Sequence, residues 1–249
     1  MSAAYDTYDY PAYWIGREYE HFAEIIAIKA FLEKIPKIRS ILEIGAGYGR
    51  LTPSYAYRAK RIILTDPSKN LLDIAKKSLP KRKIKFLKAK VEDLPEKIPP
   101  HSIDLIILVR VLHHIEDIEK MFSVIKKISK RNGYFILEFA NKRHLKATIE
   151  EFIHGNFTFL LDIFTKDIST SLKKDSLPFN NYHPDRISYL LKKYGFKIVD
   201  MRSVSNVRSP FLKRLLPTEL LLAIERNLQR PLAKIFFGPS VFILAKNTN

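Results

Sequence analysis

The sequence predicts an α/β protein in which a doubly wound, mostly parallel, seven-stranded sheet carries helices on both faces. Three observations predict this fold. Seven short runs of aliphatic and aromatic residues have the composition of buried strands. Helical patterns separate most of these runs, and strands that alternate with helices of this length form parallel sheets. The 249 residues are 46% hydrophobic, which is enough for one sizeable core.

The predicted strands share β-branched, aliphatic and aromatic side chains and are bounded by turn or cap residues. They cover residues 41–44, 62–65, 84–87, 105–109, 134–139, 197–201 and 241–245.

The predicted helices have recognisable ends. Ser68 and Asp117 are suited to cap the helices after the second and fourth strands. Gly133 is expected just past the end of the second of these helices. Pro184 suits the first turn of a later helix, and Gly195 closes it.

Three segments lie outside this alternation. Residues 1–38 form a predicted aromatic and helical cap in front of the main domain, which covers 39–249. Segments 141–181 and 208–238 are inserted after late strands and are expected to be helical caps over the binding crevice. The N-terminal aromatic residues either pack internally or contact a positively charged ligand through their ring faces.

Charge and composition limit the function classes. The net charge is +17, from 43 Lys and Arg against 26 Asp and Glu, which favours anionic partners such as RNA, a membrane surface or a phosphorylated molecule. No cysteine is present, so disulfides and cysteine nucleophiles are excluded. No long apolar run or secretory signal is found, and we expect a cytoplasmic protein. The basic, amphipathic segment 208–238 leaves open a peripheral position on an anionic membrane, or a cap over the crevice.

The most informative stretch is "ILEIGAGYGRLT", residues 41–52. Glycines directly after a buried strand allow a tight turn and a close approach of a ligand to the backbone. Asp66 ends the second strand, where a carboxylate can accept hydrogen bonds from both hydroxyls of a ribose. Together they indicate a ligand that contains a nucleoside.

The glycine spacing separates the candidate ligands. A dinucleotide site has the pattern G-x-G-x-x-G, whose third glycine would stand at Arg50, but this chain reads G-x-G-x-G with Glu43 in front. It resembles motif I of the class I S-adenosylmethionine (SAM) dependent methyltransferases. "RIILTDPSKNLLDIAKK", "FLKAKVEDLP", "IDLIILVRVLHHIED" and "GYFILEF" resemble the next motifs of that family, in order. The resemblance implies a Rossmann-like fold, SAM as the cofactor and methyl transfer as the activity.

The resemblance also implies which residues bind the cofactor, from its methionine part through the ribose to the adenine and the sulfonium. At the methionine part they are Glu43, Gly45, Ala46, Gly47 and Gly49, and at the ribose they are Asp66, Pro67 and Ser68. At the adenine they are Val91, Glu92 and Asp93, and near the sulfonium they are Arg110 and His113. Arg17 is a candidate for the cofactor carboxylate. The family commonly has an aspartate two positions before Glu92, but here that residue is Lys90, so Glu92 or Asp93 is expected to substitute.

No catalytic residue is identified by the pattern. A general base is needed only if the methyl acceptor must lose a proton. His113, His114 and Tyr13 are candidates, although a histidine at the end of a strand can equally be a structural group. No acidic cluster suits a magnesium-dependent O-methyltransferase, and we expect no metal.

The "VLHHIED" and "EDLP" stretches resemble the small-molecule branch (methyltransferase type 11 domain) that includes the ubiquinone and menaquinone C-methyltransferases. This implies a small-molecule or lipid-like acceptor. Two alternatives remain: a tRNA side-chain methyltransferase, favoured by a pI near 9.8, and a non-catalytic accessory protein that binds SAM or a nucleotide. The glycine spacing disfavours an NAD-dependent oxidoreductase.

Overall fold

The computed structural model describes residues 10–80, 83–164, 166–167 and 180–248. Its strands are β1 (Ser40–Ile44), β2 (Arg61–Asp66), β3 (Ile84–Lys88), β4 (Ile103–Leu108), β5 (Ser129–Ala140), β6 (Lys166–Asp167), β7 (Asn180–Asn181), β8 (Phe196–Val204) and β9 (Ser240–Asn247). Its α-helices are α1 (Tyr10–Tyr13), α2 (Glu18–Leu32), α3 (Lys69–Ser78), α4 (Leu94–Lys97), α5 (Ile118–Ile128), α6 (Leu145–Ile153), α7 (Pro184–Lys193), α8 (Pro210–Leu215) and α9 (Thr218–Ala233).

Seven strands form one sheet in the order β3-β2-β1-β4-β5-β9-β8. Strands β1 to β5 are parallel, and β9 runs antiparallel to both of its neighbours. The predicted fold class and all seven predicted strands are confirmed. The short antiparallel pair of β6 and β7 was not predicted. In the sheet, Ile44 pairs with both Thr65 and Leu108, so β1, β2 and β4 end together at what we call the carboxyl edge.

Both faces of the sheet are buried, as the near-continuous apolar strands require. Alternate residues of β4 point to opposite sides: Ile106 belongs to a core cluster with Phe122 of α5, and Ile107 to a second cluster with Phe31 of α2. Helices therefore cover the sheet on both sides, and the main ligand position left to an open α/β sheet is its carboxyl edge.

Four of the five predicted helix ends are confirmed. The side chains of Ser68 and Asp117 accept hydrogen bonds from backbone N–H groups in the first turns of α3 and α5. Pro184 is the first residue of α7, and Gly195 follows it with φ +75°. The prediction for Gly133 was wrong.

Gly133 lies inside β5. Helix α5 ends at Ile128, and Ser129 continues directly into the strand in an extended conformation. A Cβ on Gly133 would lie 2.8 Å from the carbonyl oxygen of Lys130, so the glycine serves a close backbone approach within the strand.

A buried hydrogen-bond network attaches the late helices to the carboxyl edge. Glu225 of α9 accepts the hydroxyl of Tyr19 at 2.6 Å and the backbone N–H groups of Ser205 and Asn206 at 2.8 and 3.1 Å. This network joins α9 and the segment after β8 to the first turn of α2. No helix in the described ranges is long and apolar enough to span a bilayer.

Candidate functional site

The glycine loop after β1 has the backbone conformation that its sequence predicts. Gly45, Gly47 and Gly49 have φ values of +67°, +56° and +78°, in the left-handed region that side chains disfavour. A Cβ on Gly45 would lie 2.2 Å from Cγ2 of Val111, so the segment after β4 packs directly on the loop. Around Gly47 nothing lies closer than 3.7 Å to such a Cβ. The loop is therefore tight at Gly45, whereas at Gly47 a Cβ would meet the Tyr10 ring at an ordinary contact distance.

Asp66 joins this loop to the start of α3. Its carboxylate is buried and accepts the backbone N–H of Gly47 through Oδ2 and that of Ser68 through Oδ1, each at 2.8 Å. A carboxylate at the end of this strand can accept hydrogen bonds from ribose hydroxyls. The structure thus brings together the two parts of the predicted nucleoside site. Ala46 and Pro67 flank them in the chain.

The loop after β3 lies next to Asp66, because the backbone N–H of Ala89 donates to the Asp66 carbonyl oxygen at 3.2 Å. Val91 is buried and Glu92 half-buried. The carboxylate of Asp93 accepts the backbone N–H of Lys90 at 3.2 Å and so caps its own turn. The structure therefore brings this predicted adenine loop to the Asp66 side of the site.

Glu43 bonds to the chain segment that follows the glycine loop. Its Oε2 accepts the hydroxyl of Thr52 at 3.0 Å and the hydroxyl of Tyr55. Burial raises the pKa of Glu43 to about 7, against the opposing effect of these two hydrogen bonds. Through these two hydrogen bonds, Glu43 of β1 fixes the segment that follows the glycine loop to the strand that precedes it.

Two arginines meet on one buried carboxylate beside the loop. Glu24 of α2 accepts Arg50 Nη2 at 2.5 Å and Arg110 Nε at 2.7 Å, and Arg50 also contacts His21 Nδ1 at 2.6 Å. Burial alone would raise the pKa of Glu24, but the two guanidinium groups outweigh it and lower the pKa. Glu24 therefore holds both guanidinium groups beside the loop.

The backbone at Arg110 is held in an unusual conformation. Its φ is +62°, which is uncommon for a residue with a side chain. Its N–H donates at 2.8 Å to Oε2 of Glu138, whose Oε1 accepts the hydroxyl of Ser240 at 2.5 Å. Burial raises the pKa of Glu138. Glu138 therefore stabilises the turn that brings Arg110 to Glu24.

The N-terminal aromatic residues cover the glycine loop. The Tyr10 ring lies above Gly47 and stacks on Tyr13, with ring centroids 6.0 Å apart. Trp14 lies under the Arg50 guanidinium, with 3.4 Å between its ring centroid and Cζ. Arg17 lies over the ring of Tyr13 at 4.1 Å and is exposed. The sequence predicted two arginines for the site, Arg17 and Arg110. Arg110 bonds to Glu24, whereas Arg17 contacts the Tyr13 ring.

The histidine pair follows β4. The rings of His113 and His114 are 4.0 Å apart and edge to face. His113 is buried, and this burial lowers its pKa well below the ordinary value, with smaller contributions from His114 and Arg110. The His113 imidazole is therefore neutral at pH 7.

Sequence reasoning missed Glu24, Arg50 and Glu138. Arg50 had one available signal, because it replaces the third glycine of a dinucleotide motif. Glu24 and Glu138 lie in apolar patterns, where a single acid gives no sign of its partner.

Residues 42–137 match the family model of the methyltransferase domain. This match covers β1 to β5 and the loops described above. The chain is 33% identical over 105 residues to the probable S-adenosylmethionine-dependent methyltransferase CRG1 of Saccharomyces cerevisiae, which is 41% of this chain and 35% of that protein. It is 35% identical over 129 residues to the uncharacterized protein MJ1123 of Methanocaldococcus jannaschii, which is 52% of this chain and 56% of that protein. The chain thus spans only a third to about half of the length of these relatives.

A solved structure agrees with the fold over a longer range. The S-adenosylmethionine dependent methyltransferase from Mesorhizobium loti superimposes with a TM-score of 0.63 at 18% identity, covering 90% of this chain and 97% of that one. The family match and this likeness support the class I methyltransferase resemblance of the sequence.

Proposed function

We propose that this protein is a SAM-dependent methyltransferase that modifies a small-molecule or lipid-like acceptor. One observation carries the proposal: the glycine loop and the carboxylate of Asp66 form a single unit, joined by the 2.8 Å hydrogen bond from the Gly47 N–H. The family match over 42–137 and SAM as the cofactor of that fold support it.

The residues present fit this cofactor. Asp66 would accept the ribose hydroxyls, and the glycine loop would lie against the methionine part. The guanidinium groups of Arg50 and Arg110, both held by Glu24, suit a carboxylate. Val91, Glu92 and Asp93 are proposed to border the adenine.

The bound cofactor supplies a methyl group on a positively charged sulfur, which is already electrophilic. The protein's own contribution is alignment and the exclusion of water, and alignment of two reactants can provide about 7–11 kcal/mol of the barrier. The aromatic side chains of Tyr10 and Trp14 shield the loop from solvent. Where the acceptor must lose a proton, His113, His114 and Tyr13 are the candidates, and burial makes His113 a weaker base than an exposed histidine.

A methyl-transfer assay tests the proposal. The purified protein is incubated with SAM carrying a labelled methyl group and with lipid, small-metabolite and tRNA fractions of a cell extract. We expect label in the lipid or small-metabolite fraction, and its loss in Asp66→Asn. Asp73→Asn is the matched control, because Asp73 is an acid on α3 that pairs only with surface lysines.

Other outcomes contradict the proposal in distinct ways. Label in tRNA alone would replace the acceptor class by RNA. Binding of SAM without labelling of any fraction would indicate an accessory protein, and no binding of SAM would refute the cofactor assignment.

A further inference from the structure

Helix α8 and the residues before it present an apolar and basic surface. Its apolar side chains are Phe211, Leu212 and Leu215, which are 69%, 40% and 63% exposed. Its basic side chains are Arg208, Lys213 and Arg214. We call these six residues the α8 surface. Exposed large apolar side chains grouped in this way mark interaction sites on soluble proteins.

The α8 surface is fixed to the cap of the candidate site. Lys213 pairs with Glu20 of α2, and its ammonium group lies 4.8 Å from the ring centroid of Tyr19. The hydroxyl of Tyr19 accepts the backbone N–H of Val207 at 3.0 Å. One helical turn after Glu20, Glu24 holds the two arginines of the site. The surface therefore lies on the same carboxyl edge as the glycine loop.

The unpaired charges of this surface are positive. The segment "SNVRSPFLKRLLP", residues 205–217, contains three basic residues and no acid. Arg208 and Arg214 are exposed, and within the described part of the chain neither forms an ion pair. Apolar side chains beside unpaired basic ones are complementary to a bilayer with acidic headgroups: the former enter the acyl boundary, and the latter remain with the headgroups.

We propose that the α8 surface docks the protein on an anionic phospholipid bilayer, with the carboxyl edge facing the lipid. A second copy fits less well, because two positively charged surfaces repel each other and the whole chain carries +17. RNA also fits less well, since Phe211 is the one aromatic side chain of the surface able to stack on a base, and the two leucines neither stack nor form hydrogen bonds.

Bilayer binding needs no SAM, so its test is separate from that of the proposed function. If both hold, a lipid-like acceptor reaches the site directly from the membrane on which the protein lies.

Vesicle co-sedimentation tests the docking surface. Vesicles of phosphatidylcholine alone are compared with vesicles in which about one-third of the lipid is phosphatidylglycerol. We expect at least about tenfold stronger partitioning to the anionic vesicles, weakened by salt. The double variant Phe211→Ser/Leu215→Ser, and separately Arg214→Glu, should each lower this partitioning by about tenfold. Tyr189→Ser is the matched control, because Tyr189 is 64% exposed on α7.

Thermal unfolding of each variant shows that it is folded, since all these side chains are exposed. Equal partitioning to both kinds of vesicle, or unchanged partitioning of the double variant, would overturn the proposal. So would sedimentation equilibrium that shows a dimer broken by the double variant, or binding of RNA in preference to anionic vesicles.

Discussion

Two buried glutamates at the candidate site have opposite pKa shifts because their partners differ. Glu24 bonds directly to two guanidinium groups and its pKa is lowered, whereas Glu43 bonds directly to two hydroxyl groups, Arg50 and Asp66 act on it more weakly, and burial raises its pKa to about 7. Hydroxyl donors do not offset the loss of hydration of a buried carboxylate, while permanent positive charges do. The neighbours of each acid, more than its depth, therefore set its charge at neutral pH.

The raised pKa of Glu43 predicts a pH-dependent stability. Between about pH 4.5 and 7 the folded protein holds a proton on Glu43 that the unfolded chain releases, so the free energy of unfolding falls as pH rises through this window. In Glu43→Gln this part of the slope disappears. The difference between wild type and variant should change by about 1–3 kcal/mol between pH 5 and pH 8. Urea unfolding at a series of pH values measures it, and parallel curves would contradict the assignment.

Removing the charge of Glu24 should destabilise the fold strongly. Glu24→Gln leaves the guanidinium groups of Arg50 and Arg110 without the anion that they share. Breaking a buried ion pair in this way lowers the free energy of unfolding by about 3–5 kcal/mol. Glu119→Gln is the control, because Glu119 pairs with Lys193 on the surface, where solvent screening leaves such pairs little effect on stability. Chemical denaturation compares them. Similar losses in both variants would show that Glu24 is not the charge on which the cluster depends.

The glycine loop is the element in which backbone and site coincide. Its three glycines have positive φ, yet only some of them also need their lack of a side chain. A Cβ on Gly45 would lie 2.2 Å from Cγ2 of Val111, and a Cβ on Gly49 would lie 2.5 Å from Cδ1 of Leu79. At Gly47 the requirement is conformational, because a Cβ there would meet the Tyr10 ring only at an ordinary contact distance of 3.7 Å.

Substitutions of glycine by alanine separate these two effects. Gly45→Ala combines backbone strain with overpacking against Val111 and should lose about 2–4 kcal/mol of stability. Gly16→Ala has the same kind of strain at φ +73° with nothing within 4 Å, and should lose only about 1 kcal/mol. Thermal unfolding of both variants gives the difference. Equal losses would mean that the segment after β4 does not pack on the loop.

At the scale of the whole molecule, the sequence predicts the sheet better than it predicts the site. Each strand is a run of apolar residues between turn or cap residues, and this local pattern suffices because both faces of the sheet are buried. Local patterns also predicted that the glycine loop and Asp66 act together, and the structure joins them through the Gly47 N–H. They failed for Gly133, because a helix that runs directly into a strand needs no glycine at its end.

The polar pairs of the site could not be predicted from local patterns. Glu24 and Arg110 are bonded although they are far apart in the chain, and this contact exists only once α2 packs beside the end of β4. Likewise, Glu138 has a role only because its strand lies next to β4 and β9. Such contacts depend on the assembled fold and leave no periodic trace in the sequence.

Calorimetric titration with SAM tests the central claim most directly. We predict saturable binding at one site by the wild-type protein and by Asp73→Asn, strongly weakened binding by Asp66→Asn, and no binding of NAD by any of the three. Unchanged SAM affinity in a folded Asp66→Asn variant, or binding of NAD in place of SAM, would contradict the claim that the glycine loop and Asp66 together hold this nucleoside.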